Sequence, residues 1–399
     1  MAFRHLKQIF RNEFKVMSSD KKALVIFLLG PVITMLLVGS ATSHIRSQEE
    51  VMHMNIAIVD EDQSVLSSKL VARFEESSHA TVKYKTDRAT AEQLLKGGKI
   101  DAIVVIYKEF DKKIRSFFLY PSESQKARVD IIVDNSVMYV PMSAPLVLQD
   151  VMKTFFLQDV PSEVLPKLPA GQQISADLVQ QVVARLNPVF INVEPAYGTN
   201  VPYFSLILPT LIPMVLFLFS LMMSGMSIVS ERVRGTLPRL FKTPVRRSEI
   251  VIGKLLAYFA IALWHGFVVT VFPLAFGATL KGGIHLLFAT AFLTSYAGCT
   301  WGMFYSTFAK TEREVLDYNT DTFLIVFTLA GILIPSRLMR PIMQTIANIL
   351  PLSHSSNAVR SVIIRGLGIE WVIGDMAYLL AVGTVMLILA LVSFRFVKE

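Results

Sequence analysis

The sequence predicts an α-helical membrane protein with six transmembrane helices and an inserted extracytoplasmic α/β domain. Three observations carry this reading. Of 399 residues, 53% are hydrophobic and 18% charged, whereas a soluble chain of this size carries about a quarter charged residues. The apolar residues gather in long uncharged blocks, the pattern of bilayer spans rather than of one large core. One interval, residues 44–200, departs from the pattern with 17 Lys/Arg and 20 Asp/Glu.

Residues 1–22 come first. Phe3, Leu6, Phe10, Phe14 and Met17 recur at helical spacing, with Arg4, Lys7, Arg11 and Lys15 largely on the other side. This predicts an amphipathic helix lying on an anionic lipid surface. Residues 23–43 contain no charge. At about 1.5 Å per residue they cover about 30 Å, one hydrocarbon core. The long basic region ahead of them, and a run longer than a signal core of about 7–15 residues, predict an uncleaved first span.

Within 44–200, MNIAIVDED, TVKYKT, DAIVVIY and VDIIVDNS read as strands, and SVLSSKLVARFEESS and ATAEQLLKGG as helices between them. That alternation predicts an α/β domain. Residues 138–186 read as mainly helical, with a Pro-rich break at VPSEVLPKLPAGQQ. Five further spans are expected within 201–399, at 203–229, 255–280, 282–309, 319–335 and 376–394. Before the last, residues 336–370 hold two apolar pieces of about ten residues cut by Pro351. Neither piece can cross a bilayer, so a half-inserted pair of helices is expected, its broken backbone covered by protein.

Charge sets the expected orientation. Residues 1–22, 230–248, 310–317 and 395–399 hold 16 Lys/Arg, whereas the opposite short connections hold five. The positive-inside rule then places both termini in the cytoplasm and 44–200 outside. The net charge of +8 is on this reading a topology signal rather than a nucleic-acid footprint. The single cysteine, Cys299, excludes an intrachain disulfide.

Several chemical readings are weak. Gly98-Lys99 and Gly253-Lys254 lack the upstream glycine and the following hydroxyl of a phosphate-binding loop. No cofactor, metal site or catalytic residue is therefore expected on this chain. Met52-His53-Met54 could suggest copper, but it directly precedes a strand. His265 and His285 have no Cys or carboxylate constellation. Asp317 and Asp321 share a helix face at i, i+4, a pattern that can mark a proton path. They lie near a helix start, where acids are favoured on electrostatic grounds alone.

The most informative stretch is the basic loop 230–248, SERVRGTLPRLFKTPVRRS. Gly235 allows the chain to turn away from the preceding span. Thr236 can N-cap a short helix whose first turn tolerates Pro238. Leu237, Leu240 and Phe241 would offer apolar anchors for a groove. Thr243-Pro244 can end that helix. Glu231, Arg232, Gly235, Thr236, Leu237, Leu240, Thr243, Pro244, Gly253 and Lys254 together resemble the cytoplasmic loop of type-2 ABC exporter permeases. The likeness extends over nearly the whole chain. MNIAIVDEDQSVLSSKL, GGKIDAIVVI and IIVDNS are similar to the external domain of the subfamily that has one. ILPLSHSSNAVRSVIIRG is similar to the segment before the family's last span. Pro238 is a departure, since relatives often carry a helix former there.

The resemblance implies a non-enzymatic transport subunit exporting an amphiphilic, drug-like or lipid-like substrate. It implies ATP and Mg on a separate cytoplasmic ATPase dimer, a second permease copy or paralogue, membrane lipids, and room for a periplasmic or envelope adaptor. ATPase coupling would fall to Glu231, Arg232, Gly235, Thr236, Leu237, Leu240, Thr243 and Pro244. The rival reading is a membrane receptor whose external domain binds a ligand. It does not account for six spans or for the lack of an inner signalling domain.

Overall fold

The computed structural model describes residues 2–19, 29–34, 53–119, 125–137, 140–164, 188–198, 203–275, 278–330 and 339–396, with Val25, Leu37 and Ser122. It divides into two units, Arg46–Val201, and Met1–Ile45 together with Pro202–Glu399.

The first unit is a five-stranded mixed sheet in the order β2-β1-β3-β4-β5. Its strands are β1 (Met54–Asp60), β2 (Ala80–Lys85), β3 (Ala102–Ile106), β4 (Ala127–Val133) and β5 (Val189–Pro195). β1 runs parallel to β2 and β3, β3 pairs antiparallel with β4, and β4 pairs parallel with β5. Strand periodicity divides β1 between two cores. Met54, Ile56 and Ile58 meet Leu66, Leu70 and Phe74 of α2 (Val65–Glu76). Ala57 and Val59 face the other way, toward Ala91 and Leu95 of α3 (Arg88–Lys96). Both faces are covered, so β1 and β3 read as unbroken apolar runs.

The helix starts follow local chemistry. Ser64 and Ser67 form a reciprocal capping box at α2, each hydroxyl accepting the other's backbone N–H at 3.0 and 2.9 Å. Asp87 caps α3 by accepting the Thr90 backbone N–H at 3.0 Å and its hydroxyl at 2.8 Å. Those two bonds hold the Asp87 carboxyl below its ordinary range.

Two elements depart from the sequence reading. A helix, α4 (Phe110–Leu119), follows β3, and β5 adds a fifth strand at the sheet edge. In β5, Phe190 and Val193 are exposed; Phe190 breaks the alternation that marks a half-buried strand, which leaves only Ile191 to Glu194 in strict alternation. Within the expected helical region, α5 (Val140–Thr154) passes through one π turn (Phe155–Asp159) into α6 (Val160–Val164). The helix therefore runs past Pro161, beyond the start of the expected break. Residues 165–187 lie outside the described residues.

The second unit is all helical. It comprises α1 (Ala2–Ser19), α7 (Tyr203–Val233), α8 (Leu237–Phe241), α9 (Arg247–Ala275), α10 (Ile284–Phe308), α11 (Glu312–Leu329), α12 (Pro341–Ile349), α13 (Pro351–Ile363) and α14 (Ile369–Arg395). Within it, Ser205–Val233, Arg247–Leu274 and Ile369–Arg395 are long and apolar enough to cross a membrane. The first span expected from the sequence, 23–43, lies mostly outside the described residues. α9 starts eight residues before the expected apolar run. Its polar first turn is organised by Glu249, whose carboxylate accepts the Arg246 N–H at 3.1 Å.

α10 packs against both α7 and α14. Gly298 and Gly302, one turn apart, let α10 approach α7 closely. A Cβ on Gly302 would meet the Leu221 carbonyl at 2.2 Å, and one on Gly298 would meet the Phe217 carbonyl at 2.8 Å. This small-xxx-small contact is the usual way for helices to pack inside a bilayer. α12 and α13 meet at Leu350. At about 1.5 Å per residue they measure about 14 and 20 Å, too short to span. His354 on α13 binds Asp375 of α14 at 2.6 Å and the Asn348 carbonyl at 2.8 Å, pinning the elbow to α14.

Candidate functional site

The basic loop between α7 and α9 is short and closed at both ends by hydrogen bonds. α7 ends in a Schellman motif. The Thr236 N–H donates to the Glu231 carbonyl at 2.9 Å, and the Gly235 N–H donates to the Arg232 carbonyl at 3.1 Å. Gly235 has φ +68°, and an added Cβ there would meet nothing within 4 Å. Glycine is needed for its backbone freedom, not for space.

α8 follows immediately, with Pro238 in its first turn. Thr236 occupies the N-cap position, but its side chain does not cap. The hydroxyl turns back to the Glu231 carbonyl at 3.2 Å. At the other end, the Thr243 hydroxyl and N–H both donate to the Leu240 carbonyl, at 2.6 and 3.1 Å. α8 therefore stops before Pro244.

The inner side of α8 belongs to this chain's own core. Leu237 is 3% exposed, in a cluster with Met223, Ile228, Ile250 and Val251, and Leu240 and Phe241 pack on the same cluster. This corrects the expectation that Leu237 projects as an anchor for a partner's groove. An apolar residue next to a membrane helix has an apolar surface of its own chain within reach. The outer side holds Arg234, Pro238, Arg239, Lys242, Thr243, Pro244 and Arg246, all exposed. Glu231 and Glu249, the two carboxylates that flank the stretch, are partly buried and bonded inward. The exposed charge of the loop is consequently all positive.

Four sets of contacts fix the loop to its surroundings. Arg232 donates to the Thr307 carbonyl at 2.7 Å and to the Ala309 carbonyl, placing a cation on the C-terminal end of α10. Arg247 donates to the Arg395 carbonyl at 2.6 Å and stacks over the Phe241 ring at 4.7 Å, and Phe241 meets Phe394 at 5.7 Å. Arg247 thus joins α8 to the end of α14. Third, Lys254, 1% exposed, donates to Glu231 at 2.8 Å, to the Ser227 carbonyl at 3.3 Å and to Glu13 of α1. Fourth, His5 of α1 binds Glu249 at 3.1 Å.

Glu13, Arg247 and Tyr258, whose hydroxyl donates to Glu13 at 3.2 Å, escaped the sequence reading as site residues. The signal for Glu13 was present, because it is the lone acid among the first 19 residues. Elsewhere, Asp317 and Asp321 are exposed on α11, His285 is exposed, and His265 is buried. Among the described residues, no three His, Cys, Asp or Glu side chains are grouped to hold a metal ion.

Comparison with known proteins agrees on one family. A family model described as ABC-2 family transporter protein matches residues 21–392. The chain is 22% identical over 373 residues to the probable multidrug ABC transporter permease YbhR of Escherichia coli (strain K12), covering 92% of this chain and 93% of that protein. It is 22% identical over 401 residues to the inner membrane transport permease YhhJ of the same strain, covering 98% of each. A shorter similarity, 26% over 194 residues, is to ABC transporter G family member 20 of Dictyostelium discoideum. It covers 48% of this chain and 27% of that protein.

Proposed function

Because this chain belongs to the ABC-2 family of transporter proteins and is a multi-pass membrane protein, we propose that it forms the translocation path of an ATP-driven exporter. In this reading six helices cross the cytoplasmic membrane, with both termini in the cytoplasm and 44–200 outside. A second permease chain completes the path. A cytoplasmic ATPase dimer, with ATP and Mg, drives it. The cargo is an amphiphile, drug-like or lipid-like. One full-length relative's description as a probable multidrug permease supports that class.

The observation that carries the reading is the loop from Glu231 to Pro244. It is short, hydrogen-bonded to α9 and α10, packed against α14 through Phe241, and exposes only positive charge. A force applied at α8 reaches several helices at once, because each meets the loop through a named contact. Arg239 and Lys242, with Pro238 and Thr243, present the docking face. Leu237, Leu240 and Phe241 hold α8 to its own chain, so that docking moves the helices rather than the loop alone. Gly235 sets the turn.

The test is transport into inverted vesicles. With the partner ATPase, vesicles holding this chain should accumulate a fluorescent amphiphile in an ATP-dependent way. Accumulation only in right-side-out vesicles would reverse the direction. Topology is tested separately. A cysteine at the exposed Ser122 should react with an impermeant thiol reagent in intact cells. The native Cys299 is buried and gives little background. Labelling of the Ser122→Cys chain only after lysis would overturn the orientation.

A further inference from the structure

The α/β unit holds a crevice of about 790 Å³, within the range of about 300–1,000 Å³ that small-molecule sites occupy. The sheet topology places it. From β1 the chain crosses to β2 on one side, and from β3 it passes to β4 on the other. The direction of winding therefore reverses at the carboxyl ends of β1 and β3, where open α/β sheets leave room for a ligand. Ile58 and Val59 of β1, Val71 of α2 and Lys108 just past β3 line the crevice, with Lys85 and Arg88 at the end of β2. The turns that leave β1 and β3 are both unusual. Gln63 has φ +50° and Glu109 has φ +65°, the left-handed region that residues other than glycine seldom enter. Such backbone collects at ligand sites, where the surrounding structure holds it in place.

The lining carries three acids and three bases, but they are not equally available to a ligand. Asp60 is consumed by its own turn. Its carboxylate accepts the Asp62 and Gln63 N–H groups at 3.1 and 3.0 Å and the Ser67 hydroxyl at 2.8 Å. Asp87 is consumed in capping α3. Glu61 alone keeps a carboxylate with no bond among the described residues. The bases are the more available set. Lys108 is exposed and has no ion-pair partner among the described residues. Lys85 and Arg88 are held by Glu75 and Glu92 in pairs exposed on both sides, and ion pairs in water are weak enough to yield to a ligand. Three cations are thus set against one spare carboxylate. Among them the Arg88 guanidinium offers the paired donors that suit a carboxylate or a phosphate. Ile58, Val59 and Val71 supply an apolar floor beside them.

We propose that this crevice binds an organic acid, a molecule that joins a carboxylate or phosphate group to an apolar body. Lys108, Arg88 and Lys85 hold the acidic group. The site goes beyond the transport reading and does not depend on it.

The experiment uses the full chain in phosphatidylcholine nanodiscs. Ser68 lines the crevice and is exposed, and the native Cys299 is buried. In the Ser68→Cys chain, a bound molecule is read as slower modification by a soluble maleimide. The probes are naphthyl phosphate, dioctanoyl phosphatidate, inorganic phosphate and naphthylmethylamine. Both organic phosphates should protect, and the one that does so at lower concentration separates a small soluble acid from a lipid headgroup as the source. Adding Lys108→Glu/Arg88→Glu should raise the half-protecting concentration about tenfold or more. Lys108→Gln, the milder change, should raise it less and leave the melting midpoint unchanged, which keeps the test valid if the double variant fails to fold. Protection by neither organic phosphate would overturn the site. So would equal protection by the amine, or a half-protecting concentration that ignores both variants. Inorganic phosphate protecting as well as the organic phosphates would overturn the organic acid and leave a bare anion site.

Discussion

Ion pairs taken from the two units stand at opposite extremes of exposure. In the α/β unit, Lys85–Glu75 and Arg88–Glu92 are ion pairs whose four side chains are all 44–58% exposed. In the membrane unit, Lys254 is 1% exposed between Glu13 and Glu231. Exposed pairs contribute about 0–1 kcal/mol, so these two add little to a unit that also buries Asp130 against Arg128 and Asp159 against Arg73. Stranding one member of a buried pair costs about 3–5 kcal/mol. The buried pairs therefore fix which helices stay together, and a change in either carboxylate is felt by the other.

Substitutions can break this comparison, and the largest effect should come from Lys254→Met. It strands two carboxylates and should destabilise the membrane unit by about 3–5 kcal/mol, read as a lower melting midpoint and poorer recovery in detergent. Next comes Gly302→Ala, which presses a methyl group onto the Leu221 carbonyl. Overpacking of this kind costs about 1–3 kcal/mol, and the same melt would show it. The smallest effect belongs to Lys85→Ala, which should stay within about 0.5 kcal/mol. Equal losses for Lys85→Ala and Lys254→Met would erase the distinction between the exposed and the buried pairs.

The parts of the fold with strong periodicity were legible in the sequence. Long uncharged blocks gave the positions of α7, α9, α10 and α14, and β1 and β3 were plain as β-branched runs. Boundaries were less legible. α9 begins in a polar turn organised by Glu249, which apolarity does not reveal. β5 was missed because its alternating stretch, Ile191 to Glu194, is only four residues long, and α4 because it follows β3 with little punctuation. The loop's turn and stop were readable at Gly235 and Thr243-Pro244, since both depend on local backbone chemistry. The inward set of Leu237 was not, because burial depends on which helices lie alongside. Glu13 and Lys254 are 241 positions apart, and no local pattern joins residues so far separated. Each was odd in its own setting, an acid on a basic helix and a lysine in an apolar run, and such oddity in two places is the only trace a buried pair leaves in a sequence.

The central claim is that the exposed basic face of α8 receives the ATPase, and its most direct test is charge reversal on that face. Arg239→Glu/Lys242→Glu touches only exposed side chains, so expression and melting should match the parent chain. Co-purification of the partner ATPase at low salt should fall about tenfold or more, equivalent to at least about 1.4 kcal/mol. Transport should fall with it. Undiminished co-purification and transport in the double variant, at low ionic strength where screening is weakest, would contradict the account.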